Sequence, residues 1–252
     1  MRAVSSTRTL SVIIPALNEE DNLGGAVTTV LDAIGDKFTD YEVLILDDGS
    51  TDHTGEIADE LATHNPRIRV IHNQRNMGLG SNYTRGVELA RMDYVAWFPG
   101  DNEVPEQAVR TILDAIGSAE IIVPYIANPH VRAWSRRLIS ASFVRLLNLL
   151  FGLRLRYFNG PSVYSRTLLS SVPIQSSGFA CFAALLIRLI LSGHSYIEIA
   201  IPTGIRQHGR TKAFRLKNLV SIFSTIAGLS WDVYVRERHK YARVGQRIEL
   251  QT

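Results

Sequence analysis

Two carboxylates, Asp101 and Glu103, stand two residues apart just after an apolar run (Tyr94, Val95, Ala96, Trp97, Phe98) that Pro99-Gly100 ends. The run reads as a buried strand, and Pro105 suits the first turn of a following helix. In an open α/β sheet, ligands bind beyond the carboxyl ends of the strands. Carboxylates placed there can hold a hard divalent cation, Mg2+ or Mn2+, that also touches substrate phosphates. They also read as a solvated acidic turn stabilised by a helix N-terminus. In the turn DDGSTD (47–52), Asp47 or Asp48 can accept hydrogen bonds from a base or a ribose hydroxyl, with turn and cap chemistry as the alternative. The glycines of NMGLG (76–80) fit neither phosphate-loop pattern and read as a helix-entry turn.

These residues need a scaffold that gathers strand ends. The pattern predicts strands over 9–15, 41–46, 67–71, 94–98 and 120–124, with helices near 81–91 and 106–116 between them. Asn18 is expected to cap the first helix, with acidic residues in its opening turn. Strands alternating with helices of this length imply an α/β fold with a mostly parallel sheet and right-handed crossovers. Asn18-Glu19, Asp47-Asp48 and Asp101-Glu103 all follow strands, so they should converge on one sheet edge.

The chain has 252 residues, 46% of them hydrophobic, as expected for one large globular domain with appendages. Its single cysteine, Cys181, rules out an intrachain disulfide and a cysteine-cluster metal site, and fits a reducing compartment. No stretch reaches the roughly 18–20 apolar residues of a transmembrane helix, and the N-terminus does not read as a signal peptide. Charge is split unevenly. Residues 1–120 hold 20 acidic and 9 basic side chains, whereas residues 121–252 hold 4 and 18. The first half therefore suits cations and the second suits anions.

The segments SVIIPALNEEDNL, VLILDDGSTDHTGEIA, NMGLGSNYTRGVELA and DYVAWFPGDNEVPEQAV resemble, in order and spacing, the family 2 glycosyltransferases of GT-A fold. The resemblance implies that Pro15, Leu17 and Glu19 line a nucleotide and that Asp47 contacts its base or ribose. It places Asp101 on the last Asp of the DxD metal motif and Glu103 on the polar residue two later. Pro99 replaces the first Asp, so Asp101 and Glu103 would have to suffice for the metal.

The second half bears on the acceptor. Residues 131–156 carry six arginines among leucines, isoleucine and phenylalanines at helical spacing, either as a basic interfacial helix or as a core-packing helix with a solvated face. Within the family this composition is similar to the polyprenyl- and dolichyl-phosphate sugar synthases. YFNGPSVYSRTLL (157–169) resembles their acceptor-side strand, with Tyr157 in place of an acidic residue. RQHGRTK (206–212) resembles their RxxGxSK motif, in which Arg206 and Lys212 would embrace phosphates. The tail 216–235 reads as an interfacial or a packed helix followed by basic residues. The chain thus divides into a donor half (1–125), an acceptor half (126–213) and a C-terminal helix with its tail (214–252).

Attack by a sugar hydroxyl needs a general base, whereas a phosphate monoester is already an anion. No acidic side chain lies between Ile121 and Ile197. That absence favours a phosphate acceptor over a hydroxyl acceptor, with Arg137, Arg206 and Lys212 to hold it; the resemblance implies that the acceptor is polyprenyl phosphate, with Asp101, Arg206 and Lys212 as the catalytic group. The expected protein is a cytoplasm-facing enzyme peripherally bound to the membrane, inverting, using a nucleoside-diphosphate sugar and capable of forming oligomers. The alternatives are a hydroxyl-acceptor transferase with Glu198 as base and a catalytically silent nucleotide-sugar binder.

Overall fold

Among the described residues, eight strands form one sheet, in the order 68–72, 40–47, 9–16, 94–97, 163–165, 121–126, 196–201 and 247–248. The computed structural model describes residues 8–174, 178, 180–204 and 216–249, with backbone only for 216–220. The strands are β1 (Thr9–Ala16), β2 (Asp40–Asp47), β3 (Ile68–His72), β4 (Tyr94–Trp97), β5 (Ile121–Ile126), β6 (Val163–Ser165), β7 (Tyr196–Ile201) and β8 (Arg247–Ile248). The helices are α1 (Leu23–Ile34), α2 (Thr54–His64), α3 (Leu79–Leu89), α4 (Glu106–Asp114), α5 (Trp134–Phe151), α6 (Arg166–Leu169), α7 (Ala180–Leu191) and α8 (Leu216–Trp231).

Alternation along the strands sends side chains to two cores. Ile13, Leu44, Leu46 and Trp97 face one side with Tyr83 of α3, Leu147 and Phe151 of α5, and nearly all of α7. Val12, Ile14, Val43, Ile45, Ala96 and Phe98 face the other, with Leu23, Val27 and Val30 of α1 and Val109 and Ile112 of α4. Each such aliphatic side chain contributes about 1.5–3 kcal/mol when fully buried. With both faces covered, the strands read as continuous apolar runs, which is why they were visible in the sequence.

The parallel ladder holds for β3-β2-β1-β4 and again for β5-β7-β8. The exception is β6, antiparallel to both neighbours. It bonds Tyr94 and Val95 of β4 on one side and Ile121 and Ile122 of β5 on the other, all at the strands' amino ends.

One expectation needs correction. Asn18 does not cap α1, which starts at Leu23. Its backbone is left-handed (φ 52°), a conformation asparagine tolerates well, and its Oδ1 accepts the Thr51 N–H at 2.8 Å. It ties the first turn to the second instead. The helical tail expected over 216–235 is present: α8 runs to Trp231 and continues as a π-helical turn over Asp232–Arg236. There Arg188, 3% exposed on α7, donates to Asp232 Oδ2 at 2.7 Å and to Tyr241 Oη at 3.0 Å. Among the described residues no helix is long and apolar enough to cross a membrane.

Candidate active site

Because β1, β2 and β4 are parallel neighbours, their carboxyl ends bring the three polar turns together. Asp48 N–H donates to Ala16 O at 2.8 Å, Phe98 N–H to Ile13 O at 2.9 Å and Gly100 N–H to Pro15 O at 3.2 Å. A Cβ at residue 100 would sit 3.2 Å from Pro15 O and from Ala16 Cβ, so glycine lets the Asp101 turn lie flat against β1. Pro15 is buried in that strand, Leu17 is half-buried beyond it, and the buried Glu19 carboxylate accepts from Asn22 Nδ2 at 2.8 Å.

Asp47 and Asp48 are both buried and both bonded. Asp47 Oδ1 accepts the Ser50 N–H at 3.0 Å, and Oδ2 meets His72 Nδ1 at 3.0 Å. Burial pushes the Asp47 carboxyl up, but the Ser50 and His72 hydrogen bonds outweigh it and leave the pKa below the ordinary value. His72 Nε2 reaches Asp59 Oδ1 at 3.1 Å. Hydrogen bonds donated to Asp47 and Asp59 raise the His72 pKa. Gly55 makes room for this pair, since a Cβ there would lie 3.1 Å from Asp47 Oδ2. Asp48 instead closes the NMGLG turn: Oδ1 accepts from Met77 N–H (2.7 Å) and Asn73 Nδ2 (3.1 Å), and Oδ2 from Gly78 N–H (3.0 Å). Turn chemistry is what Asp48 performs here.

Asp101 and Glu103 lie on one tight turn, with Asn102 between them at φ 56°. Asp101 Oδ1 accepts the Glu103 N–H at 3.1 Å. The Glu103 carboxylate turns to Arg136, with two contacts of 3.3 Å, and to Arg132 at 3.9 Å. Among the described residues no group of three or more His, Cys, Asp or Glu could hold a metal ion. One or two hard carboxylate oxygens nevertheless suit Mg2+ or Mn2+, which usually keep water and substrate phosphates as their remaining ligands. Asp101, with Glu103 beside it, fits such an ion.

Sequence reasoning selected Arg137 for a bound phosphate, but the structure leaves it exposed and brings Arg132 and Arg136 to the turn. Arg136 lies in the first turn of α5, whereas Arg132 precedes the helix in extended backbone (φ −92°, ψ 149°), so no helical spacing pairs them in the sequence. Asn128 was missed altogether. It bonds the Thr203 N–H at 2.8 Å and carbonyl at 3.1 Å, anchoring the end of β7 just before the RQHGRTK segment. Arg206 and Lys212 lie outside the described residues.

Glu198 is not placed to serve as a base. Its side chain is fully enclosed, with Oε1 accepting the Arg156 N–H at 2.6 Å and Oε2 lying 3.1 Å from Arg247 Nη2. Beneath the site, Trp97 stacks on Phe182 of α7 (centroids 4.1 Å apart, planes 8° apart) and stiffens the end of β4. On the outer face of α5, Trp134, Leu138 and Leu149 are 74%, 58% and 83% exposed. Phe151 stacks on Tyr234, whose hydroxyl donates to Leu150 O, so the exposed Tyr234 packs at the carboxyl end of α5; Trp231 is exposed as well.

A mostly parallel sheet with acidic turns at the carboxyl ends of β1, β2 and β4 defines a GT-A glycosyltransferase fold. The profile of Glycosyl transferase family 2 matches residues 11–182, and the chain belongs to that family. It is 31% identical over 223 residues to the polyprenol monophosphomannose synthase of Mycolicibacterium smegmatis, covering 83% of this chain and 82% of that protein. It is 27% identical over 212 residues to the dolichol-phosphate mannosyltransferase of Pyrococcus furiosus, covering 81% of this chain but only 58% of that longer protein. Among solved structures, glucosyl-3-phosphoglycerate synthase from Mycobacterium tuberculosis, in complex with Mn2+, uridine diphosphate and glucosyl-3-phosphoglycerate, superposes with a TM-score of 0.61. The match covers 88% of this chain and 80% of that one at 22% identity, and concerns the fold alone.

Proposed function

We propose that this glycosyltransferase moves a sugar from a nucleoside-diphosphate donor to a polyprenyl phosphate at a membrane surface, with inversion and with a divalent cation. The observation that carries this reading is the two-sidedness of α5 and the residues leading into it. Arg132 and Arg136 turn inward to the Asp101–Glu103 turn, while Trp134, Leu138 and Leu149 point outward. A lipid phosphate has that shape, with an anion to be held at the cleft and chains to be left in the bilayer.

The donor half (1–125) would bind the nucleotide along Pro15, Leu17, Glu19, Asp47 and Asp48. Of these, Asp48 contributes by holding the 76–80 turn. Asp101, with Glu103, would hold the cation, which when bound supplies charge stabilisation to the departing diphosphate. In the acceptor half (126–213), Arg132 and Arg136, joined by Arg206 and Lys212 and with Arg137 nearer solvent, would orient the acceptor phosphate. A phosphate oxygen attacks the anomeric carbon from the face opposite the leaving group. The bond to the nucleoside diphosphate breaks, its oxygen keeps the electron pair, and the configuration inverts. No proton has to be removed, which agrees with the enclosure of Glu198. The exposed α5 face, Trp231 and Tyr234 would rest at headgroup depth. Relatives whose names specify polyprenol and dolichol phosphate sugar transfer support the same acceptor class.

The test is a transfer assay with short-chain polyprenyl phosphate and a panel of radiolabelled nucleotide sugars, with and without EDTA. Label in a mild-acid-labile lipid, abolished by EDTA, is the expected result. Donor hydrolysis without lipid labelling across the whole panel would overturn the reading.

A further inference from the structure

Glu103 is pinned at its backbone but loosely held at its carboxylate. Its N–H donates to Asp101 Oδ1 at 3.1 Å, and its carbonyl accepts the Gly204 N–H at 3.0 Å. Gly204 must stay small, because a Cβ would meet that carbonyl at 3.1 Å. The carboxylate contacts with Arg136, at 3.3 Å each, are slack beside the roughly 2.7–2.9 Å of a tight guanidinium–carboxylate pair. Arg132 is incompletely paired as well. Its Nη2 donates to Thr203 Oγ1 at 3.3 Å, while its Nε is buried and meets no acceptor among the described residues. A buried donor without a partner is costly and calls for a further oxygen. Two guanidinium groups facing one carboxylate leave a surplus positive charge in a region where the side chains are only 13–31% exposed.

We propose that Glu103 is an exchangeable counter-ion. A phosphate monoester entering between Arg132 and Arg136 displaces its carboxylate, and the freed carboxylate joins Asp101 on the divalent cation. This rests on the function proposed above and adds to it an order of events. A phosphate dianion balances both guanidinium groups and offers a third oxygen to the idle Nε of Arg132. The displaced carboxylate stays within reach of Asp101, because the backbone bonds of Glu103 to Asp101 and Gly204 do not depend on its side chain. Phosphate and cation then bind synergistically, and linkage makes the effect reciprocal. The cation site is complete only when an acceptor is present, which limits wasteful hydrolysis of the donor.

The experiment measures Mn2+ affinity of the full chain from the electron paramagnetic resonance signal of the free ion. Measurements are made without phosphate, with short-chain polyprenyl phosphate and with inorganic phosphate. Wild type is expected to bind Mn2+ about five-fold tighter with polyprenyl phosphate, the lower end of ordinary coupling. Glu103→Gln should show no tightening. Arg136→Met should bind Mn2+ more tightly than wild type with no phosphate added, because its carboxylate is already released. Equal tightening in wild type and Glu103→Gln would mean that phosphate ligates the ion directly, and would overturn the exchange. Absence of tightening in wild type with both phosphates would overturn it too. Tightening with inorganic phosphate alone would uphold the exchange while removing the lipid acceptor, so the two readings fail separately.

Discussion

His72 Nδ1 lies 3.0 Å from Asp47 Oδ2, and the same ring reaches Asp59 at 3.1 Å through its other nitrogen. One imidazole thus joins the carboxyl end of β3 to that of β2 and to helix α2. Flanked by two carboxylates it holds a proton more readily than a free imidazole, and it shares Asp47 with the Ser50 N–H.

That relationship gives a pH dependence. The His72 pKa is raised, so its share of stability is complete below the ordinary value of 6.5 and is lost as pH climbs through the raised value. The Asp47 pKa is lowered, so its share is complete above 3.8 and is lost as pH falls through the folded-state value. His72→Gln is expected to cost about 1 kcal/mol between those limits, a modest figure because the ring is half-exposed. The difference from wild type should shrink on the alkaline side. Urea denaturation at several pH values measures it; a constant difference through pH 9 would contradict the charge account.

Gly100→Ala tests the tight passage of the Asp101 turn over β1. Its Cβ would press on Pro15 O, which is fixed in the sheet, so Asp101 must move. Small displacements of reacting groups can cost about 100-fold in rate. The variant should lose about 10- to 100-fold in kcat while its melting temperature falls only a few degrees, as read by transfer assay and calorimetry.

Membrane docking is tested on the outward face of α5. Leu138→Glu with Leu149→Glu removes two exposed leucines and adds charge without touching the buried Leu147 or Phe151. Each leucine buried in lipid contributes about 1.5–3 kcal/mol. Co-sedimentation with anionic vesicles should weaken by 100-fold or more, and the unfolding midpoint should hardly change. Unchanged sedimentation would remove this face from the docking surface.

Glu198→Gln separates the phosphate acceptor from a hydroxyl acceptor. Glutamine keeps an acceptor for the Arg156 N–H but leaves Arg247 without its counter-charge. Stability should drop by about 1–3 kcal/mol, with kcat for lipid phosphate within about two-fold of wild type. A 1000-fold loss of kcat in a folded variant would restore Glu198 as a base.

The strands that form the parallel ladders were largely legible because burial on both faces writes them as unbroken apolar runs. The strand expected within 157–169 is β6, reduced to three residues, and its antiparallel direction is set by contacts far away in sequence; the two residues of β8 are too short to show any period. Asp101 and Glu103 were legible as a spaced pair after a strand. Arg136 was passed over for its neighbour Arg137 because one residue turns a helical side chain by about 100°, and the phase of α5 depends on packing that places Leu147 and Phe151 inside; Arg132 precedes α5 and has no helical phase to read. His72 stood alone in the sequence, 25 residues from one partner and 13 from the other, with no local pattern to mark it.

The short β6 seam has an effect on how this architecture diversifies. It joins the two parallel blocks only near Tyr94–Val95 and Ile121–Ile122, so β4 and β5 part company toward the end where Asp101 and Tyr125 lie. The chain threads that opening at Gly160, where a Cβ would collide with Pro124 O at 2.5 Å. The opening is therefore closed at the β6 end and bordered, near Pro124, by the irregular backbone at Gly160. Lengthening or shortening that stretch would resize what enters from the acceptor side, while the ladders that carry the donor turns stay in register. On the function proposed above, acceptor choice would then change on this scaffold while the donor turns stay in place.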